Sequence, residues 1–105
     1  MIVVLFRTRT RPEMAAAEYE ATAQRMMELV AGIPGYVSFE WFTSPGGEEL
    51  SVVQFESEKA LEEWRNHPEH VKAQEQGKQT FFEAYRVQVC SVVREYGFTR
   101  APAAS

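Results

Sequence analysis

A chain of 105 residues, 45% apolar and 12% aromatic, can build one compact domain with a modest core, neither disordered nor repetitive. Its net charge is −4 and its basic residues are scattered, which argues against nucleic acid or an anionic membrane surface as principal partner. Cys90, the single cysteine, lies in the apolar run YRVQVCSVV and leaves no intrachain disulfide and no thiolate metal site.

Residues Ile2 to Thr10 are β-branched and apolar, then alternate Arg7, Thr8, Arg9 and Thr10, as in a strand running from a buried centre to an edge. No segment approaches membrane-spanning length, and the charges follow the N-terminal apolar run, the reverse of a signal peptide. A cytoplasmic protein is expected. From about Pro12, Met14, Tyr19, Ala23, Met26 or Met27, and Val30 recur every three or four residues, predicting a helix that Gly32 and Pro34 end. Val37, Phe39 and Trp41 then alternate with Ser38, Glu40 and Phe42 in a second strand, and Ser44-Pro45-Gly46-Gly47 turns the chain into a third from Leu50 to Phe55.

Ser57 is placed to cap a helix through Ala60, Leu61 and Trp64, which stops at Asn66-His67-Pro68. The stretch WRNHPEHVKAQEQGKQTFFEAY gathers both histidines. Asn66 can cap its helix, Pro68 suits a first turn, and Glu69 suits the positive end of the dipole. His70, Gln74, Gly77 and Phe81 follow at helical spacing and give one face a mixed polar, small and aromatic character, as in a pocket wall. Gly77 either ends this helix or thins it. Tyr85 to Tyr96 is predicted to be a long last strand, and Thr99 to Ser105 a loose tail.

The order predicts one domain over residues 1–98: an α+β, ferredoxin-like βαββαβ sandwich whose antiparallel sheet has helices on one face. The strands are apolar on both sides, although helices can cover only one. A homodimer that packs the two open sheet faces together is therefore expected.

The apolar first strand, the helix ending before Pro34-Gly35-Tyr36, the strand ending Gln54-Phe55-Glu56-Ser57, Trp64, HPEHVKAQ and the long final strand together resemble the antibiotic biosynthesis monooxygenase family, from about Ile2 to Phe98. The resemblance implies a dimeric α/β barrel and an activity among cofactor-independent oxygenases of anthrone-type polyketides, quinol oxygenases and haem-degrading enzymes. The haem-degrading branch uses a strand asparagine, a tryptophan and a helix histidine. Trp64 matches, but the corresponding positions here hold Phe6 and Gln74, and an amide is a poor iron ligand.

The favoured reading is therefore oxygen insertion, without metal or cofactor, into a small electron-rich aromatic such as a quinol or anthrone. Such chemistry needs a base, a group that stabilises the phenolate, and a dry cavity. His70 is the candidate base, kept neutral by the positive end of its helix, with Arg7 for the oxyanion and Gln74 to orient it or a water. Trp64, Phe6, Phe39 and Phe81 would form flat apolar walls, with His67 at the helix junction. Each also has a plainer role: Trp64 as core, His67 as surface, His70 as a solvated first-turn residue, and Arg7 as a strand residue reaching water. The second functional reading is a non-catalytic dimeric module that binds a small ligand. No phosphate loop, GxSxG elbow or HExxH motif is present.

Overall fold

The computed structural model describes residues 1–102; the end of the expected tail, 103–105, lies outside the described residues. The elements are β1 (Ile2–Thr10), α1 (Ala16–Val30), β2 (Tyr36–Thr43), β3 (Glu49–Phe55), α2 (Glu58–Arg65), α3 (Pro68–Gln76) and β4 (Phe82–Ser91). One antiparallel sheet holds them in the order β2-β3-β1-β4, the ferredoxin-like α+β arrangement.

Register sorts the side chains between two faces. Ile2, Val4, Phe6 and Thr8 share one face with Phe55, Val53, Ser51 and Glu49 of β3 and with Ser91, Val89, Val87 and Tyr85 of β4. This is the helix side, where Ile2, Val53 and Phe55 pack with Val30 of α1 and with Ala60, Leu61 and Trp64 of α2. Phe39 and Trp41 of β2 fall on the same face; Phe42 falls on the other. Val3, Leu5, Arg7, Leu50, Val52 and Cys90 face away from the helices.

Three boundaries differ from the sequence expectation, each for a local reason. Pro12 to Met14 form a turn closed by Met14 N–H on the Arg11 carbonyl, so α1 begins at Ala16. Asn66 ends α2, and the cap of α3 is His67, whose Nδ1 accepts the Glu69 N–H at 3.2 Å. The last strand is Phe82–Ser91 because β1 supplies partners only from Thr10, opposite Phe82, to Ile2, opposite Ser91.

Two glycines set interelement distances. Gly35 has φ +91°, and a Cβ there would stand 2.8 Å from Ala60 Cβ, so β2 and α2 meet at a contact only glycine allows. Gly77 opens a π-helical turn, Gly77–Phe81, that widens α3 just before β4, and its hydrogen is covered by the Phe82 ring, 2.7 Å from where a Cβ would lie. The Arg11 side chain holds that turn through the Gln79 carbonyl at 3.1 Å.

Candidate active site

The site is built where α2 hands over to α3. Leu61 and Trp64 sit on the buried stripe of α2, and Trp64 is 7% exposed in the core. From Pro68 the chain re-enters a helix, and the tight Asn66-His67-Pro68 junction folds the first turn of α3 back over the indole. His70 stacks on Trp64, ring centroids 4.0 Å apart and planes within 14°. Its Nδ1 lies 2.9 Å from the Trp64 carbonyl oxygen. A carbonyl only accepts, so this contact places the proton on Nδ1 and leaves the Nε2 lone pair free. The Gln74 amide, one helical turn on, is 3.2 Å from the same Nδ1 and can share its N–H when the amide oxygen is turned inward.

Burial pushes the His70 pKa below its ordinary value; the Trp64 carbonyl opposes that shift by stabilising the N–H, and the nearby His67 adds to it. The dominant cause is loss of water, not the helix dipole invoked from sequence. The result is a neutral imidazole near pH 7, clamped by one bond and one stacking contact. Glu69, which would have favoured the charged form, is turned outward to Arg25 in a bidentate pair at 3.0 Å.

The expected site residues divide into groups. His70, Trp64, Gln74 and His67 are together, with the His67 ring 6.0 Å from Trp64 and its Nδ1 committed to capping. Phe6 and Phe81 belong to a second cluster further along the sheet: Phe6 meets Phe82 at 5.8 Å and Tyr85 at 5.7 Å, and Phe81 meets Tyr19 at 5.3 Å, all edge-on. Phe39 packs against the core on β2. Arg7 is on the open face, its Nη1 3.8 Å from Glu48, and so lies across the sheet from His70.

Between the two groups the helix face shows Val4 and, beside it on β4, Val87 and Val89, each 50% exposed. From Ile2, beneath Trp64, to Phe6 is four residues, or about 13 Å of strand. An apolar floor therefore runs from the His70–Trp64 pair to the aromatic cluster. Two surface clefts, about 310 Å³ between α1 and α3 and about 250 Å³ at the start of α2, contain neither His70 nor Trp64. Among the described residues no three His, Cys, Asp or Glu side chains gather as a metal site.

Sequence reasoning did not single out Tyr19 with Glu49, nor Phe82 and Tyr85. The Tyr19 hydroxyl donates to Glu49 Oε2 at 3.2 Å, beside buried Thr8, and burial together with the Glu49 charge pushes the Tyr19 pKa up to about 12. Pairing of Thr8 with Glu49 is a matter of strand register, which the helical spacing of Tyr19 could not reveal.

A family model, antibiotic biosynthesis monooxygenase, matches residues 1–76. The chain belongs to the antibiotic biosynthesis monooxygenase family. It is 36% identical over 77 residues to "Uncharacterized protein YqjZ" of Bacillus subtilis (strain 168), an alignment covering 73% of this chain and 68% of that protein. Among solved structures, Rv0793 from Mycobacterium tuberculosis is similar at a TM-score of 0.79 with 24% identity, covering 91% of this chain and 98% of that one. SnoaB, a cofactor-independent oxygenase from Streptomyces nogalater, seen as a single-residue variant, is similar at a TM-score of 0.75 with 12% identity, covering 90% and 94%. At these identities the structural likenesses establish the ferredoxin-like fold of this family member and no substrate. No helix among the described residues is long and apolar enough to cross a membrane.

Proposed function

We propose that this family member is a cofactor-independent monooxygenase acting on a small, planar, electron-rich aromatic of the quinol or anthrone class. The observation that carries the reading is the His70–Trp64 pair: a half-buried neutral imidazole whose Nδ1–H is fixed by a backbone carbonyl and whose Nε2 is left as a base. Family membership and the oxygenase activity in SnoaB's name support the reaction class.

In this mechanism the substrate lies on the Val4, Phe6, Val87 and Val89 floor with its phenolic edge at His70. Nε2 takes the phenolic proton, and Nδ1–H stays on the Trp64 carbonyl, which stabilises the imidazolium that forms. The phenolate gives one electron to dioxygen, and the resulting radical and superoxide recombine through a new C–O bond. The peroxide anion recovers the proton from Nε2. Cleavage of the O–O bond with loss of the remaining C–H hydrogen as a proton then yields a carbonyl and water, so a CH₂ group and O₂ become C=O and H₂O. The apolar floor shields one side of the radical pair from water. With Arg7 on the far face, Gln74 is the polar side chain beside His70 available to the developing charge.

The open face carries Val3, Leu5, Leu50, Val52, Phe42 and Cys90, and a homodimer through it belongs to the same proposal. The test is oxygen uptake with reduced naphthoquinols and anthrones. Wild-type protein is expected to consume oxygen, and His70→Ala to lose about 10²–10⁴-fold of that rate, the usual worth of a general base. Binding of the aromatic without any protein-dependent uptake would instead favour the non-catalytic ligand-binding reading.

A further inference from the structure

β1 is flanked by β3 and β4 and lies under the helices, so its helix face should be covered from end to end. It is covered only at its ends. Ile2 and Thr8 are 7% and 4% exposed, whereas Val4 and Phe6 between them are half-buried, as is Ser51 of β3 beside Phe6. The helix layer is thus lifted over the middle of the strand and leaves a slot. The His70–Trp64 pair closes one end, above Ile2. Tyr19 of α1 closes the other, above Thr8, and the Phe82 ring bridges Tyr19 and Phe6 with centroids 5.8 Å from each. These ends are six residues, or about 20 Å, apart along β1.

Along β3 the helix face changes character at the same place: Phe55 and Val53 belong to the core, and Ser51 and Glu49 follow on the same row. A carboxylate on the inner face of a sheet loses water and needs partners. Glu49 has half of what it needs. Its Oε2 accepts the Tyr19 hydroxyl at 3.2 Å, and its Oε1 has no hydrogen-bond or ion-pair partner among the described residues. With a pKa pushed up to about 12, Tyr19 keeps its proton at neutral pH and holds the carboxylate without neutralising it. The chemistry at His70 uses neither residue.

We propose that Glu49, positioned by Tyr19, selects substrates carrying a hydroxyl at the end remote from His70, by accepting that hydroxyl's hydrogen bond on its free oxygen. A phenolic O–H to a carboxylate is a charge-assisted bond, stronger than one between neutral groups. A carbonyl or ether oxygen in the same place would set a lone pair against the carboxylate, with no proton between them. Glu49 therefore rejects as well as selects. Phe6 and Phe82, the rings beside it, offer such a ligand no competing polar contact. A single ring held at His70 falls short of Glu49, whereas linearly fused rings with a hydroxyl at each end can engage both. The inference rests on the functional reading for which end of the ligand meets His70, and it adds specificity without altering the reaction.

Binding is measured apart from turnover with anthraquinones, whose central ring is already oxidised. Calorimetric titration compares 2,6-dihydroxyanthraquinone with 2-hydroxy-6-methoxyanthraquinone, which matches its ring system but lacks the second donor, at about pH 6.5, where His70 is largely neutral. Wild-type protein is expected to bind the dihydroxy compound about tenfold tighter. In Glu49→Leu the two compounds should bind within about twofold of each other, through loss of affinity for the dihydroxy compound alone. Glu49→Gln keeps the shape and an acceptor for Tyr19, and Tyr19→Phe keeps the carboxylate but frees it to move; each should leave a preference of about threefold. Equal binding of the two compounds by wild type would overturn the assignment, as would a preference that survives Glu49→Leu or is undiminished in Glu49→Gln. A tenfold preference in a protein that consumes no oxygen with quinols or anthrones would overturn the monooxygenase reading and leave Glu49 in its role. Oxygen uptake with equal binding would do the reverse, and binding of neither compound would overturn both.

Discussion

Replacing Gly35 by alanine tests how the start of β2 positions the helix that carries Trp64. Two costs follow from the geometry. The φ of +91° disfavours any L side chain by about 1–2 kcal/mol. The new Cβ would lie 2.8 Å from Ala60 Cβ, and both ends of that contact are short and stiff, so relief requires a backbone shift worth about 1–3 kcal/mol. Ala60 is 4% exposed in the core and stands one helical turn before Trp64, so the shift reaches the indole on which His70 stacks. The expected loss is about 2–5 kcal/mol, and for a domain of this size even the lower figure moves the melting temperature down by about 8 °C. Thermal unfolding followed by circular dichroism measures it. In the double variant with Ala60→Gly, only the steric part should be recovered, leaving the φ cost behind, so the two changes are coupled by about 1–3 kcal/mol. A Gly35→Ala protein melting within about 2 °C of wild type, or a double variant with no coupling, would refute this account of the β2–α2 contact.

Two further outcomes follow from the protonation states. Because the folded-state pKa of His70 lies below its ordinary 6.5, the unfolded chain binds the extra proton first as pH falls. The His70 contribution to stability is thus complete above about pH 6.5 and is lost as pH falls through the lower folded value; urea midpoints from pH 7.5 to 5 should drop less in His70→Gln than in wild type. Tyr19 is expected to ionise near pH 12 in a phenolate absorbance titration, and Glu49→Gln should bring it down by removing the neighbouring charge. A Tyr19 phenol that titrates near 10 would contradict the half-buried Tyr19–Glu49 pair.

Much of this molecule is legible in its linear order. Period-two alternation in Ile2 to Thr10 and Val37 to Phe42, three-to-four spacing from Tyr19 to Val30, and the Ser57 and Pro68 helix starts are local signals, and local chemistry decides them. The same locality kept His70 and Gln74 on one side of α3, because residues four apart on a helix are neighbours wherever that helix sits.

What the sequence could not decide is which way a face points and where a ladder stops. Alternation puts Phe6 and Arg7 on opposite sides of β1, but only packing of the helices over Ile2 and Phe55 makes Phe6's side the inside, and this parts Arg7 from His70. The role of His67 likewise turned on backbone angles at the α2–α3 junction, where its own ring, not Asn66, reached the free N–H of Glu69. The final strand was misjudged at both ends because β-propensity is a property of a segment, whereas a strand exists only where a neighbour offers hydrogen bonds. Residue order thus determined the elements and the helix face bearing His70; tertiary structure decided the stacking on Trp64, the loss of water that keeps the imidazole neutral, and the length of the last strand, since burial and pairing depend on residues distant in sequence.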